Sequence, residues 1–170
     1  MKQDVFIIVR SEINFESVAH EVAGGFPTAA LAAERMRALI AEQFEANKEW
    51  WEDEEDDTAV EAAYEEWIEE NFRDEEGHEW NYTDVDDGVE YQYRICHASL
   101  ETDVELSEVF AVVITHCMGG KNDSTVSGVF AYEPHSAVEV LQKIYDLEAE
   151  ESEGLVERFV SAELVRIEKA

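Results

Sequence analysis

A pattern of apolar residues and glycines occurs twice in this chain, so one structural unit should account for much of its length. Residues Val109 to Ile144 align without a gap onto residues Val5 to Ile40, 104 positions earlier. Eight aligned positions are identical: Val5 and Val109, Phe6 and Phe110, Val9 and Val113, Val22 and Val126, Gly24 and Gly128, Phe26 and Phe130, Ala33 and Ala137, Ile40 and Ile144. Such repetition predicts a duplicated unit and changes the expected fold.

Each repeat predicts two strands followed by a helix. In the first repeat, Val5–Val9 is a continuous apolar run typical of a buried strand, and Val18–Phe26 is a second strand. Pro27 suits the first turn of a helix, where its missing N–H costs nothing. The helix has apolar residues at helical spacing, namely Ala29, Ala33, Met36, Ile40 and Phe44.

A third strand ends each unit, at Val89–Leu100 in the first and at about Arg158–Ile167 in the second. Nearly 50 residues separate the helix from this strand in the first unit, against about 15 in the second. The difference predicts an insertion at about 45–82. We therefore expect an α+β protein of two ββαβ units, 1–101 and 102–170, in pseudo-twofold relation. Both units share a mainly antiparallel sheet with helices packed on it.

The insertion has its own predicted order. Thr58–Arg73 carries apolar residues that form one stripe on a helix of about 100° rotation per residue, at Val60, Tyr64, Trp67 or Ile68, and Phe72. After it, two strands, Trp80–Val85 and Val89–Ile95, flank the turn signal Asp86-Asp87-Gly88. The insertion is therefore expected to be a helix followed by a hairpin arm that extends the third strand.

The insertion is also where the charge lies. Between Glu42 and Asp87, 21 of 46 residues are Asp or Glu and only Lys48 and Arg73 are basic, which gives −19 of the chain's formal −30. The same segment contains all four tryptophans. A surface that serves solubility alone mixes charges of both signs. This combination predicts a surface that binds a positively charged partner.

The predicted partner is a basic protein that handles nucleic acid, rather than nucleic acid itself or a membrane. Thirty charges span ~50 Å of duplex DNA, and a globule of this length has a diameter of roughly 40 Å. In charge statistics alone the chain is similar to phage and bacterial DNA-mimic inhibitors and to acidic immunity proteins that block basic nucleases. The residues expected to bind the partner are Trp50, Trp51, Asp53, Glu54, Glu55, Glu61, Glu65 and Glu69.

Three other interpretations stay open at this point. The chain could be a metal-dependent enzyme that uses its clustered carboxylates or its Cys/His pairs, or a docking subunit of a larger assembly. Adaptation to high salt would also make a protein acidic, but it should acidify every surface. Outside the segment Glu42–Asp87 there are 21 acidic and 10 basic residues in 124 positions, so the bias is concentrated. The oligomeric state is not fixed by the sequence, and a dimer is one option.

Two Cys/His pairs resemble a zinc ligand set, Cys96-His97 and His116-Cys117. If their strands formed a hairpin, both thiols would face one side and both imidazoles the other, because neighbouring strand residues alternate. We therefore expect buried cysteines and hydrogen-bonded histidines, with no metal or cofactor. No nucleophile elbow, zincin helix or Rossmann glycine set is present, so we expect no enzymatic activity.

The expected location is the cytoplasm. The N-terminal residues, Met1 to Asp4 and the short apolar run after them, lack the length and cleavage site of a signal peptide. No apolar run approaches the ~20 residues that span a bilayer. Two cysteines without a secretion signal indicate free thiols in a reducing compartment.

Overall fold

A computed structural model gives the fold of the chain. It describes residues 1–14, 17–47, 62, 73–75, 79–86, 89–117, 123–150 and 157–169. The described residues form an α+β structure of two antiparallel sheets and two helices.

Sheet one contains the strands that lie before residue 102. Its elements in chain order are β1 (Lys2–Ile13), β2 (Val18–Phe26), helix α1 (Ala29–Asn47), β3 (Arg73–Glu75), β4 (Glu79–Asp86) and β5 (Val89–Glu101). The strand order is β2-β1-β5-β4-β3, and every neighbouring pair is antiparallel. The central strand β1 therefore lies between β2 and β5.

Sheet two contains the remaining strands. Its elements are β6 (Glu108–Cys117), β7 (Asp123–Ala131), helix α2 (Ser136–Ala149) and β8 (Glu157–Arg166). The order β7-β6-β8 places β6 at the centre, and both pairs are antiparallel. A parallel bridge between Gly25 and Ile167 joins one edge of each sheet.

The alternation of side chains along the two central strands explains the layers. In β1, Phe6 and Ile8 pack against α1, whereas Val5, Ile7 and Val9 pack against sheet two. In β6, Val109 and Ala111 face sheet one, and Val112 and Ile114 pack against α2. The layers are therefore α1, sheet one, sheet two and α2. A strand buried on both faces needs a continuous apolar run, which is what β1 and β6 have.

The two sheets also share their local register. In sheet one Ile8 pairs with Gly24 and Val9 with Val22, so Ala23 is an extra residue in a β-bulge. In sheet two Val112 pairs with Gly128 and Val113 with Val126, which leaves Ser127 as the extra residue. The two bulges are 104 positions apart, the same offset as in the aligned sequence.

Most of the predicted elements are confirmed, with small changes at their ends. Strand β2 has the predicted bounds, and β1 is longer than the run Val5–Val9. Helix α1 begins at Ala29, because Thr28 Oγ1 accepts a hydrogen bond from Leu31 N, so Pro27 precedes the helix rather than opening it. The hairpin of β4 and β5 is confirmed, with Asp86 paired to Val89.

The prediction of one shared sheet is wrong. The strands before residue 102 form one sheet, those after it form another, and the two sheets pack face to face. Strand β3 was not predicted. The predicted helix Thr58–Arg73 falls almost wholly outside the described residues, which include Ala62 and place Arg73 in β3.

Candidate functional site

The residues that the sequence selects for partner binding lie outside the described residues. These are Trp50, Trp51, Asp53, Glu54, Glu55, Glu61, Glu65 and Glu69. The described parts of the same segment are β3 and β4, which continue sheet one beyond β5. The candidate sites among the described residues therefore lie on the two sheets and their helices.

The Cys/His pairs do not form a common site. Strand β5 carries Cys96 and His97 in sheet one, and β6 carries His116 and Cys117 in sheet two, so the hairpin considered for them is absent from the described strand pairs. Cys96 is buried, and its Sγ lies 3.7 Å from Thr125 Oγ1. His116 Nδ1 lies 2.9 Å from Asp123 Oδ1. Among the described residues there is no group of three or more ligands that could hold a metal ion.

A small polar cluster surrounds Asp4 at one end of sheet one. Its carboxylate accepts hydrogen bonds from Ser99 Oγ and from His97 Nε2, the latter at 3.0 Å. These two hydrogen bonds, with Ser99 the larger cause, hold the pKa of Asp4 below its ordinary value. The His97 ring stacks on Phe6 with 4.6 Å between centroids. The cluster fixes side chains across β1 and β5.

A second polar cluster joins the two sheets around His20 of β2. His20 Nε2 lies 2.6 Å from Glu163 Oε1, and His20 Nδ1 lies 3.0 Å from Thr115 Oγ1. Because a carboxylate only accepts, Nε2 donates to Glu163. Ser124 Oγ lies 2.9 Å from Thr115 Oγ1 and extends the chain of hydrogen bonds into β7.

The order of hydroxyl, imidazole and carboxylate in this cluster is the one used for nucleophilic catalysis. Thr115 is buried, however, and its hydroxyl is held between His20 and Ser124. A nucleophile must reach the reacting carbon of a substrate, which this oxygen does not. The arrangement instead satisfies polar groups within a sandwich and ties β2 to β6, β7 and β8.

An exposed apolar stripe runs along the outer face of α2. Val138 is 72% exposed, Leu141 66% and Tyr145 67%. The spacing i, i+3, i+7 brings these three side chains onto one side of the helix. Val140 and Leu147 lie on the opposite side and are buried against sheet two. We call Val138, Leu141 and Tyr145 the α2 stripe.

The aligned positions of α1 differ in character. Glu34 aligns with Val138 and Arg37 with Leu141, and both α1 side chains are exposed. Tyr145 aligns with Ala41. The α2 stripe was not predicted from the sequence, because apolar residues at helical spacing are expected in the core. The replacement of two charged residues by apolar ones in the second repeat is the signal that could have revealed it.

Comparison with protein-family models, curated protein sequences and solved structures found no match of any kind. None of the helices in the described residues combines the length and the apolar character that crossing a bilayer requires.

Proposed function

We propose that this chain is a non-enzymatic acidic binding protein that inhibits a basic nucleic-acid-binding protein or nuclease. The observation that carries the proposal is the segment from Glu42 to Asp87, with 21 carboxylates against two basic residues. A field of one sign steers an oppositely charged partner toward it and repels others. The protein would occupy the basic surface on which its partner otherwise holds nucleic acid.

The positive charge of the body does little to offset this field. Arg10 lies 3.7 Å from Glu21, Arg35 lies 2.9 Å from Glu42, and Arg94 lies 3.8 Å from Asp123, as nitrogen–oxygen distances. Each of these arginines is thus neutralised locally by a carboxylate. The formal net charge of the whole chain is −30, which supports a basic partner.

The proposal includes an origin for the fold. Two ββαβ units, 1–101 and 102–170, arose by duplication and stand in pseudo-twofold relation. The first unit then acquired the acidic insertion at about 45–82. The common 104-residue offset of the bulges supports the duplication. The insertion is supported by β3 and β4, which extend sheet one past β5, whereas sheet two ends at β8 in the part of the chain described.

Within the insertion, Asp53, Glu54, Glu55, Glu61, Glu65 and Glu69 supply the charge and Trp50 or Trp51 the aromatic anchor. Charge sets the rate of encounter, and a desolvated aromatic side chain lengthens the residence time. The two cysteines and the absence of a recognisable secretion signal in the sequence support a reducing, cytoplasmic location for this activity.

Reversing Glu61, Glu65 and Glu69 to lysine tests the proposal. Each reversal adds two charges, so the formal net charge changes from −30 to −24. Partner capture from a host lysate at low salt, followed by titration of the purified partner, should show binding to the unmodified chain and none to the variant. The affinity should also fall steeply with salt, because exposed charges are screened over ~8 Å at physiological ionic strength.

The matched control reverses Glu101, Asp103 and Glu105, which are exposed at the end of β5 and just after it. This control also reaches −24, so it separates the position of the charge from its amount. If the first variant keeps its partner, or if both variants lose it equally, the insertion is not the binding surface.

A further inference from the structure

The α2 stripe makes no contribution to the packing of its own helix. Val140 and Leu147 already bury the inner face of α2 against sheet two. Val138, Leu141 and Tyr145 project from the other side and are each at least 66% exposed. An apolar side chain in this position stays in contact with water and does not gain the favourable free energy of burial.

Helix α1 shows that the fold does not require such a face. It packs on its own sheet through Ala32, Met36 and Ile40. Its aligned outer positions carry Glu34 and Arg37, which are exposed and charged. The same arrangement of helix on sheet is therefore compatible with a polar outer face, and the α2 stripe needs another explanation.

A second copy of this chain fits the α2 stripe poorly. Three side chains of this size expose a few hundred Å², about the largest apolar patch of an ordinary monomer. A twofold contact through the stripe would bury about twice that area, which is a small interface with little free energy to offset repulsion between two copies. Each copy would also bring a formal charge of −30 against the other.

The charges beside the stripe define the occupant more closely. At 100° per residue, Glu148 lies next to Leu141 on one side, and Gln142 and Asp146 lie on the other. All three flanking side chains are exposed, and Gln142 Nε2 donates a 2.7 Å hydrogen bond to Asp146. An apolar stripe between acidic borders matches an apolar stripe between basic borders.

We propose that the α2 stripe docks an amphipathic helix of a basic protein. Two helices pack with the side-chain ridges of one in the grooves of the other, at about 8–10 Å between their axes. Three adjacent apolar side chains on each helix can form such a contact. The apolar faces supply the contact, and lysine or arginine beside them meets Glu148 and Asp146. None of the residues of this surface belongs to the Glu42–Asp87 segment, so the inference does not depend on that segment binding anything.

The probe is a synthetic helical peptide of leucine and lysine, ~18 residues or about five turns long. Its leucines follow helical spacing, so they form one stripe with lysines on both sides. A scrambled peptide of the same composition carries the same charge but no stripe. Because an acidic protein attracts any cationic peptide, the informative quantity is the ratio of the two affinities, measured by calorimetry or fluorescence anisotropy.

The test variant is Val138→Glu/Leu141→Arg, which installs the residues of the aligned α1 positions and leaves the formal charge at −30. We expect the unmodified full chain to prefer the amphipathic peptide by about tenfold, which is about 1.4 kcal/mol. In the variant this preference should disappear, while the affinity for the scrambled peptide stays the same. A control variant, Glu34→Gln/Arg37→Gln on α1, should keep the preference, and circular dichroism should show all variants folded.

Three results would overturn the inference. The first is equal affinity of the unmodified chain for both peptides, and the second is a preference that survives in the Val138→Glu/Leu141→Arg variant. The third is a dimer in sedimentation equilibrium that this variant converts to a monomer. The last result would make a second copy the occupant. Failure of the proposed function is recognised separately, because reversal of Glu61, Glu65 and Glu69 leaves the α2 stripe intact.

Discussion

Replacing Ile7 by alanine should destabilise both sheets together by about 3 kcal/mol. Ile7 is 0% exposed and belongs to the apolar cluster between the sheets, with Val109, Ala111 and Val165 from sheet two. The substitution removes three buried carbons at ~0.8 kcal/mol each, or about 2.4 kcal/mol. The cavity adds to this loss, and such substitutions cost ~2–5 kcal/mol in all.

Urea unfolding followed by circular dichroism, with hydrogen exchange of β1 and β6 amides, measures the effect on each sheet. The melting temperature should fall by roughly 6–12 °C, at ~2–4 °C per kcal/mol for a chain of this size. Leu141→Ala removes the same number of carbons from an exposed site and should change stability by less than ~0.5 kcal/mol. Two transitions, of which only that of β1 shifts, would refute the shared core and show that the sheets fold independently.

Two further substitutions test local features of sheet one. The hydrogen bonds from Ser99 and His97 lower the pKa of Asp4. Its carboxylate therefore stabilises the fold at pH values above the ordinary carboxyl pKa, and this contribution is lost as the pH falls through the lowered pKa. Asp4→Asn should therefore lower the melting temperature at pH 7, and melting curves at acidic pH should converge with those of the unmodified chain; a constant difference would contradict this. Gly24 has φ of 142° at the β-bulge, so Gly24→Ala should cost ~1–3 kcal/mol in urea unfolding. Gly128→Ala, at the matching position without a positive φ, should cost less.

The strands could be predicted from the sequence because a continuous run of apolar residues indicates a buried strand. The continuous run from Val5 to Val9 indicates a strand covered on both faces, and the repeat at Val109 indicates another. The pattern does not say what covers each face. A helix and a second sheet bury an apolar side chain equally well, so the pattern does not distinguish the shared sheet that was predicted from the two packed sheets that are found. The packing of Ile7 against Ala111 decides for two sheets.

The α2 stripe could not be recognised from periodicity alone. Helix α2 carries two sets of apolar residues at helical spacing, one with Val140 and Leu147 and one with Val138, Leu141 and Tyr145. Both sets fit the same template, and only the orientation of the helix on sheet two decides which is buried. The acidic segment presents the opposite case. Its charge is evident from composition, whereas its predicted binding residues stay a prediction.

The two aligned segments, Val5–Ile40 and Val109–Ile144, serve as controls for each other, because their central strands have the same register and bulge position. A side chain that the fold requires should be similar in both, as Phe6 and Phe110 or Ile40 and Ile144 are. A side chain that differs is not required by the fold.

The two largest differences around the aligned segments are the acidic segment Glu42–Asp87, which lies between α1 and β5, and the α2 stripe, whose aligned positions on α1 are Glu34, Arg37 and Ala41. Uncompensated charge opposes the compact state, and exposed apolar area favours unwanted association. Both differences therefore work against a free, isolated protein, one by repulsion and the other by adhesion. A basic partner with an apolar helix face would relieve both costs, since it neutralises the charge and covers the stripe.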